Sequence, residues 1–147
     1  MLPTLNGRIQ TRIFLLAVVG GLWTLVISPV LPGRGGLGLA ETYRMTFTVL
    51  IATTVLGIGW EIVYHFLQQF RWEKDWPTLF GLVTVLNEGG LLWWLLTLGV
   101  VPTLPGGVPL STFLVLFATT WVLVWLAANG PMRVPFIRWR FRGGRLV

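Results

Sequence analysis

Four long apolar segments constrain this 147-residue chain more than any other feature of its sequence. Crossing the hydrocarbon core of a bilayer takes about 20 mainly apolar residues in a helix. Four segments reach that length, at about 13–31, 43–70, 77–101 and 110–128. Hydrophobic residues make up 54% of the chain and charged residues 11%, whereas about 25% of a typical soluble domain is charged. We therefore predict an all-α integral membrane protein that forms a four-helix bundle in a single transmembrane domain.

The segments that connect these helices are short, so consecutive helices are expected to pack as two antiparallel hairpins. Arg8 and Arg12 precede the first apolar segment, as basic residues precede the apolar core of a signal peptide. Such a core is about 7 to 15 residues long, which is shorter than the segment at 13–31. We therefore expect a retained helix that begins after these two arginines.

The basic residues are distributed unevenly around the four predicted helices. Of the eleven lysines and arginines, only Arg34 and Arg44 follow the first helix and precede or begin the second. The other nine fall on the opposite side: Arg8, Arg12, Arg71, Lys74, Arg133, Arg138, Arg140, Arg142 and Arg145. Because cytoplasmic loops of membrane proteins are enriched in Lys and Arg, we expect both termini and the loop 71–76 to be cytoplasmic, in a bacterial-type plasma membrane.

Composition also limits the chemistry of the chain. It has no cysteine and one histidine, so disulfides and iron–sulfur clusters are excluded, and a haem site with two imidazoles or a zinc site is not expected. No phosphate loop or HExxH motif is present, and we predict no cofactor. The formal net charge is +6, which we assign to contact with anionic lipid headgroups rather than with nucleic acid, since no soluble basic module is present.

Three ionisable residues lie within the predicted helices, and these are the candidate site. Glu61 and His65 lie in the second helix, and Glu88 lies in the third beside Asn87. At 1.5 Å per residue, Glu61 and Glu88 are about 14 and 16 Å from the cytoplasmic helix ends. Since charged groups in a membrane are expensive and face protein or water, we predict a buried cluster of these four residues.

Small and polar residues share a helix face with each glutamate. Thr53 and Gly57 recur at four-residue spacing with Glu61, and Gly81 and Thr84 share the face of Glu88. Such stripes are typical of helix contacts in lipid, where small residues let backbones approach. We therefore expect the two stripes to pack against each other.

The cluster allows several chemistries. Two neighbouring carboxylates disfavour double ionisation, so they are expected to share a proton, to pair with a cationic His65, or to bind a cation. The first option suits a proton carrier, and a cationic imidazole suits an anionic ligand. A metal site is not predicted, because one chain supplies too few ligands. The alternative is purely structural, with the cluster fixing the packing of the second hairpin.

The predicted cytoplasmic segment 131–147 is basic. Its arginines alternate with aromatic residues, which in an extended chain places guanidinium groups on one face and rings on the other. Contact with anionic lipid or with a partner protein is expected for Arg133, Arg138, Trp139, Arg140, Arg142 and Arg145. The same arginines also suit a plain topology anchor.

Three functions are consistent with the sequence. The first is a non-enzymatic subunit or scaffold that packs against itself, as a homo-oligomer, or against a larger membrane complex. The second is a proton-coupled or ion-conducting protein that uses the Glu61, His65 and Glu88 cluster. The third is a membrane-embedded protein or enzyme that binds a lipid or a quinone.

Overall fold

The computed structural model describes residues 4–33, 35–71, 78–104 and 106–147, except for the side chain of Arg140. Four of its helices are long: α1 (Leu5–Val30), α2 (Leu39–Gln69), α3 (Thr78–Thr97) and α4 (Leu110–Asn129). A short helix, α5 (Ile137–Phe141), follows. No strand occurs in these ranges. The prediction of an all-helical bundle with four helices long and apolar enough to cross a membrane is confirmed.

Helix α1 begins at Leu5, although its start was predicted at residue 13. Thr4 caps it, because its hydroxyl accepts a hydrogen bond at 3.1 Å from the backbone N–H of Gly7. The cap extends the helix beyond the apolar stretch from which its start was predicted. The expectation that Arg8 and Arg12 precede this helix is therefore wrong, because both lie on α1.

Two irregularities interrupt the long helices in the half of the bundle that contains the candidate site. Helix α1 widens into a π-helical turn at Leu16–Gly20 before it resumes as an α-helix. Helix α3 is interrupted at Thr84, between Thr78–Val83 and Val85–Thr97. Single π-helical turns within α-helices, such as the one in α1, are frequently found at functional sites.

Helix α3 ends at Thr97, four residues before its predicted end at 101. Gly99 adopts a φ of 67°, which only glycine tolerates readily. The N–H of Val100 then bonds to the carbonyl of Leu95 at 3.3 Å, as in a Schellman motif. A left-handed glycine thus stops the helix inside a stretch that is still apolar.

The four long helices form a ring of neighbours. Helix α1 packs against α2 and α4, and α3 also packs against α2 and α4. The approach of α3 to α4 is close at Gly89, where a Cβ atom would lie 2.7 Å from the ring of Phe117. This arrangement leaves α1 and α3 on opposite sides of the bundle interior.

The interior differs between the two ends of the bundle. We call the end at which α1 and α3 begin and α2 and α4 end the terminal end. The half nearer the opposite end has an apolar core, formed by Ile27, Leu31, Met45, Val49, Leu92, Leu96, Leu104, Val108, Phe113, Leu116 and Phe117. Buried hydroxyls join it, with Ser28 Oγ 2.8 Å from Thr46 Oγ1. The terminal half contains charged side chains and a cavity instead.

Candidate functional site

Arg12 of α1 crosses the interior of the terminal half and joins two carboxylates. Its Nε lies 2.9 Å from Glu61 Oε1 on α2. Its two terminal nitrogens bind Glu88 on α3 in a bidentate pair, at 2.6 and 2.9 Å. The three side chains are only 12%, 13% and 4% exposed, in the order Arg12, Glu61 and Glu88. One guanidinium therefore links three helices through charge-assisted hydrogen bonds, which are the strong class.

A second arginine from α1 completes this group. Arg8 Nη1 lies 3.5 Å from Glu61 Oε2, and Arg8 Nη2 donates to the side-chain carbonyl of Gln68 on α2. We call Arg8, Arg12, Glu61 and Glu88 the arginine cluster. With both carboxylates ionised, its two positive and two negative charges balance, which reduces the cost of burying them.

A glycine on α2 makes room for the cluster. A Cβ atom at Gly57 would collide with Nη1 of Arg12 and lie 2.8 Å from its Cδ. Gly59, two residues later, has nothing within 4 Å of the corresponding position. Gly57 is thus the point at which the Arg12 side chain passes over the α2 backbone.

The predicted candidate residues are placed in different environments. Glu61 and Glu88 meet through Arg12, whereas Asn87 donates a hydrogen bond at 2.8 Å to the hydroxyl of Tyr64. Tyr64 is in turn hydrogen-bonded to Glu88. His65 is partly buried, and its Nδ1 has no hydrogen-bond partner among the described residues.

The expectation that the two small-residue stripes pack against each other is corrected by the structure. Gly57 faces Arg12 of α1, because the arginine occupies the space that α3 was expected to fill. Gly81 instead faces α4, where its carbonyl accepts a hydrogen bond from an indole. Thr53 is buried and Thr84 is 7% exposed, and the Thr84 hydroxyl bonds to the carbonyl of Gly81 on its own helix.

A cavity of about 400 Å³ lies beside the arginine cluster. It extends from Leu16 and Trp121 in the interior to residues at the terminal end. All four long helices and the segment after α4 contribute to its wall. The lining residues are Gly7, Arg8, Thr11, Arg12, Leu15, Leu16, Glu61, Tyr64, Thr78, Phe80, Gly81, Thr84, Trp121, Val124, Trp125, Ala128, Asn129, Arg133, Trp139 and Gly144.

Two tryptophans of α4 form one side of this cavity. The indole N–H of Trp121 donates to the carbonyl of Gly81 at 3.1 Å, and that of Trp125 donates to the carbonyl of Thr78 at 3.0 Å. The guanidinium carbon of Arg12 lies 5.5 Å from the Trp121 ring centroid, within cation–π range. Both indoles therefore tie α4 to the first turns of α3, and Trp121 covers the cluster.

The segment after α4 folds back onto α1. The carbonyl of Gly143 accepts a hydrogen bond at 2.9 Å from the backbone N–H of Thr4, and the carbonyl of Gly144 accepts one at 2.9 Å from the Thr11 hydroxyl. Gly7 allows this contact, since a Cβ there would collide with the backbone at 143–144. The chain therefore closes on itself at the terminal end.

This docking changes the interpretation of the basic segment. Residues 137–141 are helical, so the extended alternation of arginines and rings is wrong. Trp139 donates to the Thr11 hydroxyl at 2.8 Å and lines the cavity. Arg133 also lines the cavity, and its Nη2 donates to Asn129 Oδ1 at 3.0 Å. The side chains of Arg138, Arg142 and Arg145 are exposed.

Some predicted features lie outside the described residues. These are residues 72–76 of the predicted loop 71–76, which include Lys74, the predicted start of the third helix at residue 77, Arg34, and the side chain of Arg140. Among the residues that are described, no group of three or more histidine, aspartate or glutamate side chains is arranged to hold a metal ion.

Sequence reasoning missed both arginines of the cluster and the cavity walls. Arg8 and Arg12 are one helical turn apart, and two carboxylates within the apolar helices require counter-charges nearby. Trp121 and Trp125 show the same spacing on α4. The spacing of the two arginines and that of the two tryptophans could have indicated that each pair faces the interior of the bundle.

No protein-family model matches this chain, and neither does any curated protein or any solved structure.

Proposed function

We propose that this protein is a non-enzymatic integral membrane protein that binds an amphiphilic small molecule in the cavity beside the arginine cluster. In this proposal the terminal end faces the cytoplasm of a bacterial-type plasma membrane, because nine of the eleven basic residues belong to that end or to its loops. The single observation that carries the proposal is the cavity of about 400 Å³.

The size and lining of the cavity support a binding role. Small-molecule sites typically occupy about 300–1,000 Å³ and combine apolar or aromatic walls with a few polar groups. Here Leu15, Leu16 and Val124 supply apolar surface, and Trp121 and Trp125 supply aromatic surface. Apolar and aromatic walls beside a small set of charged groups are the composition expected of a site for an amphiphile.

The arginine cluster supports the binding role because it holds the helices around the cavity in fixed positions. It connects α1, α2 and α3 around the cavity, and breaking a buried ion pair is strongly destabilising. Because Glu61 and Glu88 are both engaged by Arg12, their geometry favours a fixed wall over a mobile proton relay. A wall held by ion pairs keeps its shape around a bound molecule, which suits binding better than ion conduction.

A cavity-filling substitution tests the proposal. Ala128 lines the cavity on α4, so Ala128→Trp is expected to exclude the occupant. Leu126→Trp is the matched control, since Leu126 lies two residues away and is 49% exposed. Native mass spectrometry of protein purified in mild detergent should detect one small-molecule adduct in the wild type and in Leu126→Trp. Its persistence in Ala128→Trp, or its absence from the wild type, would contradict the proposal.

A second candidate role is that of a subunit that packs against itself or a larger membrane complex. It is favoured by exposed apolar side chains outside the four long helices, at Val134, Ile137 and Phe141, which are 75%, 62% and 66% exposed. Apolar surface of this kind rimmed by arginines is typical of an interaction site. Light scattering of purified wild type and Phe141→Ser should then reveal a larger species only in the wild type.

A further inference from the structure

The net charge differs between the interior of the cavity and its rim. The interior contains the arginine cluster, whose two arginines are balanced by two glutamates. Arg133 stands at the rim after α4, is exposed, and forms no ion pair among the described residues. Its described hydrogen bond goes to the neutral amide of Asn129. The rim therefore has a positive charge that a ligand can neutralise.

Two arginines that line the cavity, Arg8 and Arg133, have hydrogen-bond donors to spare. A guanidinium has five N–H donors and no acceptor. Arg8 of the arginine cluster directs two donors to Glu61 and Gln68, and its buried Nε has no hydrogen-bond partner among the described residues. Arg133 directs one to Asn129. The unused groups on both arginines are donors, so the complementary head group is rich in acceptor oxygens.

The interior of the cavity suits an apolar chain. Arg12 already donates three hydrogen bonds to carboxylates, and Trp121 covers one side of its guanidinium. Leu16 and Trp125 continue the apolar surface. From Gly7 near the terminal end to Leu16 the helix rises about 14 Å, and a volume of about 400 Å³ over that depth suits one chain rather than two.

We infer, on the basis of the proposed binding function, that the occupant is an anionic amphiphile with one chain between α1 and α4 and its acidic oxygens between Arg8 and Arg133. Phosphate and carboxylate head groups share this chemistry, and a guanidinium binds either one in a bidentate manner. A free phosphate ion offers the same oxygens without the chain. The site thus selects an acidic lipid or fatty acid over a zwitterionic lipid.

Binding of two lysolipids with the same acyl chain tests this selectivity. Lysophosphatidylglycerol is anionic and lysophosphatidylcholine is zwitterionic. Native mass spectrometry titrations in non-ionic detergent should give an affinity for the anionic lipid that is about tenfold higher in the wild type. Arg133→Gln should abolish the preference, and Arg133→Lys should retain part of it. Arg44→Gln removes one positive charge at the opposite end of the bundle and should leave the preference unchanged.

The outcomes separate this inference from the proposed function. Equal binding of both lipids to the wild type, or an undiminished preference in Arg133→Gln, would overturn the anionic selectivity while leaving an amphiphile site. No saturable adduct with either lipid, or equal adducts in the wild type and Ala128→Trp, would overturn the binding function itself. Displacement of the anionic lipid by millimolar inorganic phosphate would identify a free-anion site and also overturn the inference.

Discussion

At the scale of single residues, one guanidinium decides how the terminal half of the bundle is organised. Arg12 contacts carboxylates on two other helices and is only 12% exposed. A charge so placed is tolerated because its partners are also charged and their bonds are short. The cluster therefore fixes the relative positions of α1, α2 and α3 more strictly than apolar packing alone, which tolerates shape changes.

Removing the Arg12 charge should destabilise the protein. Arg12→Gln leaves the carboxylates of Glu61 and Glu88 without their principal cation, and an unpaired buried charge costs about 3–5 kcal/mol. Equilibrium unfolding in detergent should show this loss. The double variant Arg12→Gln, Glu88→Gln should recover most of it, because the two charges that remain in the cluster, Arg8 and Glu61, still pair and balance each other. An Arg12→Gln protein as stable as the wild type would contradict the assignment.

Two glycines on α2 should respond in opposite directions to the same substitution. Alanine is favoured over glycine in helices by about 1 kcal/mol, so Gly59→Ala, where nothing lies within 4 Å, should be neutral or stabilising. Gly57→Ala places a methyl group against the Arg12 guanidinium and should lower the melting temperature. Thermal unfolding in detergent compares the two directly. Equal melting temperatures would show that Arg12 does not cross the α2 backbone at Gly57.

At the scale of whole elements, the segment after α4 acts as a clasp on α1. Its backbone at 143–144 lies against Gly7, and hydrogen bonds from Thr4 and Thr11 hold it. Trp139 and Arg133, on the same segment, form part of the cavity wall. The position of this segment therefore bears on the stability of the terminal end and on its proposed binding role.

A methyl group on Gly7 should release the clasp. Gly7→Ala is expected to displace residues 143–144, because a Cβ there would collide with their backbone. Gly21→Ala is the control on the same helix, where nothing lies within 4 Å. Limited trypsin digestion should cleave after the arginines of residues 133–145 faster in Gly7→Ala than in Gly21→Ala. Equal cleavage rates would contradict the docked position.

The sequence predicted the helical elements well and their ends less well. Apolar length identified four helices, and α4 was predicted to within one residue. The start of α1 was missed because hydropathy ignores the Thr4 cap, and the end of α3 because Gly99 stops a helix that remains apolar. The carboxylates of the site were identified because charged residues are costly in apolar helices. Arg12 was placed outside the membrane because it precedes the apolar stretch, and hydropathy does not show that its side chain pairs with Glu61 and Glu88.

At the scale of the whole molecule, the bundle combines an apolar core at one end with charge and open space at the other. The apolar half is packed from residues such as Leu92, Leu96 and Phe113, each at most 2% exposed. The terminal half is held by ion pairs around the cavity. We expect the first half to provide stability and the second to provide function.

The proposed orientation is open to direct chemical test, because the chain has no native cysteine. Val147→Cys is expected to be cytoplasmic, whereas Thr103→Cys, in the connection between α3 and α4, is expected on the outer side. In intact cells, a membrane-impermeant maleimide should label Thr103→Cys and spare Val147→Cys until the cells are lysed. The reverse pattern would invert the orientation while leaving the four helices unchanged.

An experimental density map of the protein in lipid nanodiscs that contain an anionic phospholipid would test the proposed cavity site directly. We expect elongated density in the cavity, from the rim at Arg133 to the interior at Leu16 and Trp121, with the Arg12 ion pairs intact. Closed packing of α1 against α3 with no space between them, or a cavity that contains only isolated water peaks, would contradict it.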